Sequence, residues 1–267
     1  VVMSYAYHVV VHAMEGSVWR SDADRFGAAL LTCLDGHLPY DRYLDVCRQV
    51  PRVNDSRLAS LISEALMCDL NPMTQMAMRV SSLHRFQAAF NHYNQEAGLG
   101  VATYLEGVGP TGISAQRRAQ TDRARDVALG REATMTMAKV LVNGIGRGAG
   151  NSRPVSGLAR ELTASKLIED AAMYFEQAPG AKVQDLAKRL GCSARTVLRG
   201  FVELGVTPSH LRQACMLVHA SSRMGSAASL TDIAMEAGYS DLAHFTRVFR
   251  KATHLSPHAL RLAAFDR

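Results

Sequence analysis

The sequence predicts a mainly helical chain in two unequal parts, on three observations. Apolar residues recur at three- and four-residue steps along most of its 267 residues. A glycine-rich break follows residue 142. Beyond that break, one pattern of apolar, glycine and hydroxyl residues occurs twice.

In chain order, segments 22–34 and 40–50 read as short amphipathic helices. Leu58, Leu61, Ile62, Ala65 and Leu66 form a helical stripe over Leu58–Met67. Pro72 suits a first helical turn, and the spacing of Met76, Val80, Leu83, Phe86 and Phe90 predicts one helix from there to a stop at Gly98. Residues 101–116 hold three glycines and a proline and read as loop or short strand. Residues 117–142 predict a helix with a polar start, in which Arg117, Arg118, Arg123 and Arg125 are balanced by Asp122 and Asp126. That start reads as a solvated face with internal ion pairs rather than a phosphate-binding stripe.

Residues 143–154, NGIGRGAGNSRP, have four glycines in seven positions and then Pro154. The spacing Gly144-x-Gly146-x-x-Ala149 fits a dinucleotide-binding turn, which would imply a nucleotide-dependent enzyme. A second parallel strand ending in an acidic residue should then follow, and the sequence becomes helical instead. The stretch is read as a linker. The expected division is residues 1–142, a largely helical sensor or dimerisation region; 143–160, the Gly-rich linker; and 161–267.

The repeat lies in 183–261. Val183, Leu186, Ala187 and Leu190 form a stripe followed by Gly191; Leu230, Ile233, Ala234 and Ala237 form the same stripe before Gly238, 47 residues later. Ser193 and Ser240 follow as candidate N-caps. Val197, Arg199 and Phe201 match Phe245, Arg247 and Phe249 at an offset of 48, and Thr207-Pro208 matches Ser256-Pro257 at 49. Each unit is a short helix, a glycine turn and a second amphipathic helix, which is helix-turn-helix spacing. The second helices should bury Val197, Phe201 and Leu204, and Leu242 or Phe245 with Phe249. Their other faces carry Arg195, Thr196 and Arg199, then His244 and Arg247, residue types that suit base edges and phosphates. A connecting helix from Pro208 to about Met224 would hold the two reading helices roughly 25 Å apart, near the ~34 Å between successive major grooves on one DNA face.

Other classes are disfavoured. The chain is 48% hydrophobic and 20% charged, too apolar for wholesale disorder. No apolar run approaches the ~18–20 residues of a membrane span. Val1–Trp19 lacks the apolar core of a signal sequence. Five cysteines (Cys33, Cys47, Cys68, Cys192, Cys215) without a C-x-x-C pair argue against disulfides or a cysteine zinc site and for a cytoplasmic setting. His8 and His12 share a face but have no third ligand nearby, so no metal and no cofactor is expected. Cys33, Cys47 and Cys68 read as buried thiols rather than redox sensors. Met67, Met73, Met76 and Met78 suit core filling, with an adaptable ligand pocket as the alternative. No hydrolytic motif is present, so no enzyme is expected.

Residues 167–261 resemble the AraC/XylS family of bacterial transcription regulators. The likeness rests on VQDLAKRLGCSARTVLRGF and GVTPSHLR in the first unit, and on SLTDIAMEAGYSDLAHFTRVFRKATHLSPHALR in the second. It implies a seven-helix domain with two helix-turn-helix units, placed in adjacent major grooves of promoter DNA to recruit RNA polymerase. Carried onto this chain, it implies that Arg195, Thr196, Leu198 and Arg199 face bases from a helix at about 193–203. Leu242, Ala243, His244 and Arg247 would do so from 241–251. Phosphate contacts would come from helix starts near Ser193, Ser240 and Thr207 and from Lys251. The chain departs from the family in having one residue fewer between Phe201 and Gly205, Gly200 inside the first reading helix, Met216 at an often basic position, and His254 where a glycine is usual. The stretch from Leu38 to Tyr93 resembles a helical portion of some family sensor regions, whereas the β-rich barrel common in the family is not expected.

Together these readings predict a promoter activator, controlled through residues 1–142 by a small-molecule effector or by a homodimer. The alternative is a protein-interaction module that sequesters a regulator without reading DNA. Net charge is +6 over the chain, from 30 Lys+Arg and 24 Asp+Glu. Residues 166–267 hold 13 against 9, or +4, and the remainder 17 against 15. That modest density makes affinity depend on placed contacts more than on bulk field.

Overall fold

A computed structural model of the protein describes residues 2–3, 22–35, 37–38, 60, 68–77, 79–80, 82–96, 101–109, 112–119, 139, 142 and 154–265. The predicted elements at 40–50 and 58–67, the 143–153 part of the linker with its 144–149 glycine spacing, His8, His12, Cys47, Met67 and Met78 lie outside the described residues.

The architecture is mainly helical, with a C-terminal helix-turn-helix region. The helices in order are α1 (Asp22–Leu34), α2 (Pro72–Ala77), α3 (Leu83–Glu96), α4 (Val155–Leu162), α5 (Lys166–Gln177), α6 (Val183–Arg189), α7 (Ala194–Val202), α8 (Pro208–Arg223), α9 (Leu230–Glu236), α10 (Leu242–Thr253) and α11 (Pro257–Ala264). Two antiparallel ribbons accompany them: β1 (Val2–Met3) with β2 (His37–Leu38), and β3 (Val101–Gly109) with β4 (Gly112–Ala119).

Helix α8 is the hub. It buries Leu211, Ala214, Cys215, Met216, Leu217, Val218 and Ala220, nearly all round, as a helix enclosed by others must. It packs against α5, α1, α2 and α9 in particular. Met216 belongs to this core, so the position that is often basic in the family is here a packing position. Thr207 starts the helix with a capping box. Its hydroxyl accepts from His210 N–H at 3.2 Å, and the His210 ring accepts from Thr207 N–H at 3.3 Å. Thr207→Ala is expected to cost about 1 kcal/mol, read from urea unfolding.

The predicted single helix from Pro72 to Gly98 is two helices. Arg79 N–H bonds back to Met76 O at 2.9 Å, a tightened turn that ends α2. Ser82 then starts α3, its carbonyl accepting from Phe86 N–H at 3.0 Å. A serine's side chain competes with the backbone and favours such a start. The predicted polar helix start at 117–119 is strand: Arg117 pairs with Thr103 and Arg118 with Ala102 on β3. The two-residue connection between Gly109 and Gly112 lets the strand fold back, so hairpin pairing overrides helix propensity here. The remaining residues of that prediction, among them Asp122, Arg123, Arg125 and Asp126, lie outside the described residues. At the register shift between Leu105 and Gly107, Asn91 of α3 replaces a strand partner. Its amide accepts from Leu105 N–H at 2.6 Å and donates to Leu105 O at 2.8 Å.

The N-terminal helices share one hydrophobic core with the C-terminal ones. Phe26, Leu30 and Cys33 of α1 and Met76 of α2 are buried in it, Cys33 and Cys68 as free thiols. Gly27 lies so close to the turn after α7 that an added Cβ would strike the Leu204 carbonyl. Asn71 donates its amide to Thr32 O of α1 at 3.3 Å and to Ala252 O of α10 at 3.0 Å. It ties the N-terminal segment to α10.

Candidate nucleic-acid interface

Two helix-glycine-helix units, α6–α7 and α9–α10, stand at either end of α8. In the first, α6 buries Leu186 and Ala187, and Gly191 turns the chain at φ 63°. In the second, α9 buries Ile233 and Ala234, and Gly238 turns at φ 84°. Both glycines occupy the left-handed region that side chains with a Cβ avoid. The second helices fix their orientation through phenylalanines. Val197 and Phe201 anchor α7, while Phe245 and Phe249 anchor α10 with ring centroids 5.5 Å apart.

With those faces buried, the 3.6-residue period turns the predicted reading residues outward. Arg195, Thr196, Leu198 and Arg199 are exposed on α7. On α10, Ala243 and Arg247 are exposed, while Leu242 and His244 are half-buried. Among the described residues, no hydrogen bond or ion pair holds the guanidinium of Arg195, Arg199 or Arg247. Thr196 and Arg199 also line a cleft whose opposite wall is the turn from α4 to α5, with Arg160, Thr163 and Ser165. Gly200 lies close to α5: a Cβ there would come 3.0 Å from Leu167 Cδ2, so the leucine side chain would have to give by a few tenths of an ångström.

Ser193, Thr207 and Ser256 cap their helices, whereas the expected cap at Ser240 falls one residue later. Ser193 Oγ accepts from Thr196 N–H at 3.1 Å, and Thr207 caps α8 as above. The N-cap of α10 is Asp241, not Ser240: Asp241 Oδ1 accepts from His244 N–H at 2.6 Å. That N–H, with the Ser240 hydroxyl donating at 3.0 Å, holds the Asp241 carboxyl below the usual carboxylate range. The start of α10 therefore carries a fixed negative charge, which opposes a phosphate there even though Ser240 is exposed. Ser240 also bonds the His244 ring at 3.2 Å, and Tyr239 packs edge-on to that ring. His244 is thus oriented from two sides. Lys251 forms an ion pair with Asp35 at 3.5 Å, with both groups well exposed, a contact worth little in water.

Sequence reasoning passed over Thr246 and Arg250. With Leu242, Ala243 and Arg247 they line a groove along the outer face of α10. The signal was available: Arg250 follows Arg247 by three residues, one helical turn on the same face. His254 ends α10 in the left-handed conformation at φ 61°, doing as a non-glycine what the usual glycine does there. Among the described residues no group of His, Cys, Asp or Glu is placed to hold a metal ion. Among them, too, no helix is long and apolar enough to cross a membrane.

No curated protein and no solved structure gives a significant match to the chain. Residues 186–263, from α6 through α11, match the family model described as a helix-turn-helix domain, which supports an AraC-like DNA-binding unit in this part of the chain.

Proposed function

We propose that the protein is a sequence-specific transcription regulator that inserts α7 and α10 into two successive major grooves of promoter DNA. The observation that carries this reading is the repeated presentation of arginines that have no partner among the described residues. Arg199 and Arg247 occupy equivalent places in two equivalent units, each on an exposed face opposite a phenylalanine anchor. An arginine with no protein partner retains its full set of donors for a guanine edge or a phosphate. Helix α8, 16 residues long, separates the units by about 24 Å along its axis.

In this reading Arg195, Thr196, Leu198 and Arg199, and Leu242, Ala243, His244 and Arg247, face bases, while Ser193 and Thr207 mark the helix starts nearest phosphate. The protein acts in the cytoplasm as an activator that engages RNA polymerase. Residues 1–142 bias its DNA-binding geometry through an effector or a second copy, across the linker expected at 143–160, of which residues 155–160 belong to the packed helix α4. The contacts of α1 and α2 with α8 and α10 supply a route for that bias, because a shift of either N-terminal helix meets a packed neighbour.

An operator selected from random duplexes with the full chain would supply the probe. Arg199→Ala combined with Arg247→Ala is expected to weaken binding at least tenfold by fluorescence anisotropy, since each good bidentate pair is worth about 1–3 kcal/mol. Unchanged affinity would overturn direct readout. It would favour the second reading, a module that binds another regulator, for which the exposed Leu198 and Val202 on α7 speak.

A further inference from the structure

The two reading helices are equivalent in place but not in chemistry. At the offset of 48 that relates them, Arg199 stands opposite Arg247, but Leu198 corresponds to Thr246 and Val202 to Arg250. Leu198 and Val202 are 56% and 72% exposed on α7. They lie four residues apart, so they form one apolar strip on the outer face. The strip flanks the face on which α7 buries Val197 and Phe201, but unlike them it is left open to solvent. A single exposed leucine carries no information. Here an apolar pair stands beside Arg195 and Arg199, where the sister helix has a hydroxyl and a guanidinium.

We propose that this strip reads thymine, taking the C5-methyl group in the major groove against Leu198 and Val202. The inference rests on the DNA-reading function above. The physical basis is direct. Thymine is the base that presents a methyl in the major groove, and apolar side chains are its complement. The flanking arginines seat the strip by holding the neighbouring guanine edges or phosphates. The operator is then chemically asymmetric. The half under α7 carries thymine at the position facing the strip, and the half under α10 meets Thr246 and Arg250 at the corresponding places.

The test uses the full chain and its selected operator. Protection in the variants Arg199→Ala and Arg247→Ala assigns each half of the operator to its helix. Each thymine in the α7 half is then replaced by deoxyuridine, which deletes the methyl and keeps every hydrogen-bonding group. The expected result is about a three- to fivefold loss at one or two positions, the worth of a methyl withdrawn from water. Leu198→Ser with Val202→Ser should bind the thymine and deoxyuridine operators equally. Sensitivity confined to the α10 half would overturn the proposal. So would indifference to deoxyuridine throughout a bound operator, which would leave DNA reading intact and assign the strip to a protein partner. Selection of no operator at all would remove the DNA reading itself, and this proposal with it.

Discussion

Gly238→Ala is expected to destabilise the protein by about 3 kcal/mol, and the equivalent Gly191→Ala by only about 1 kcal/mol. Both glycines turn the chain between the two helices of a unit, and both have positive φ, 63° at Gly191 and 84° at Gly238. A Cβ in that conformation costs roughly 1–2 kcal/mol at either position. The surroundings then separate them. Nothing lies within 4 Å of a Cβ built on Gly191. A Cβ on Gly238 would fall 2.6 Å from Gly180 N and 2.7 Å from Pro179 C. Those are backbone atoms of the α5–α6 connection, which cannot rotate aside as a side chain would. Displacing them adds the cost of overpacking, about 1–3 kcal/mol. Urea midpoints of the two variants, with slopes compared to exclude a change in the unfolded state, measure the contrast. Equal losses would mean that the Pro179–Gly180 backbone yields without cost.

That contrast marks how far the sequence could be read. The positions of Gly191 and Gly238 were legible because each follows an i, i+3, i+4, i+7 stripe and precedes a cap. The inequality between them was not, because Pro179 and Gly180 meet Gly238 only across the fold. The same division runs through the interface. Periodicity was enough to place Arg195, Arg199 and Arg247 away from the buried phenylalanines, whereas Leu198 came only from the family resemblance. It could not choose between the adjacent cap candidates Ser240 and Asp241, since both side chains suit the role and helix ends shift by a residue. Nor could it show that Lys251 pairs with Asp35, or that Gly200 lies against Leu167. In the N-terminal part the period was right for α1 and wrong at two points. A turn at Arg79 interrupts one predicted helix, and β-pairing claims residues 117–119. In each case local backbone chemistry or hairpin geometry prevailed over a pattern that fitted a helix.

The second large effect is expected at Asp69, as a stability that rises with acidity. This carboxyl is fully buried. Its two oxygens accept from Asn71 N–H at 2.9 Å and from the Thr74 hydroxyl at 2.6 Å. Those bonds favour the charged form, but desolvation outweighs them and raises the pKa from 3.8 to about 6, with Cys33 nearby on α1. The Cys33 thiol is itself held neutral by burial and donates to Leu70 O at 3.2 Å, so it offers Asp69 no compensating positive charge. A raised acid binds its proton more tightly folded than unfolded. Its contribution is therefore complete below about pH 4 and is lost as pH rises through about 6. A shift of about two pH units corresponds to about 3 kcal/mol, of which about half is recovered between pH 8 and pH 5. Asp69→Asn keeps an acceptor for Asn71 N–H and offers its own N–H to Thr74, without a charge to bury. The difference in unfolding free energy between it and the wild type should thus favour the variant most at pH 8 and shrink as pH falls. Asp69→Ala should be destabilised at every pH by about 1–3 kcal/mol for each partner left unsatisfied. Asn71 bridges Thr32 and Ala252, so the same titration should be felt at the C-terminal end of α10. A pH-independent difference between wild type and Asp69→Asn would mean that the carboxyl titrates as it does in water, and that the acidic segment is not sealed against α1.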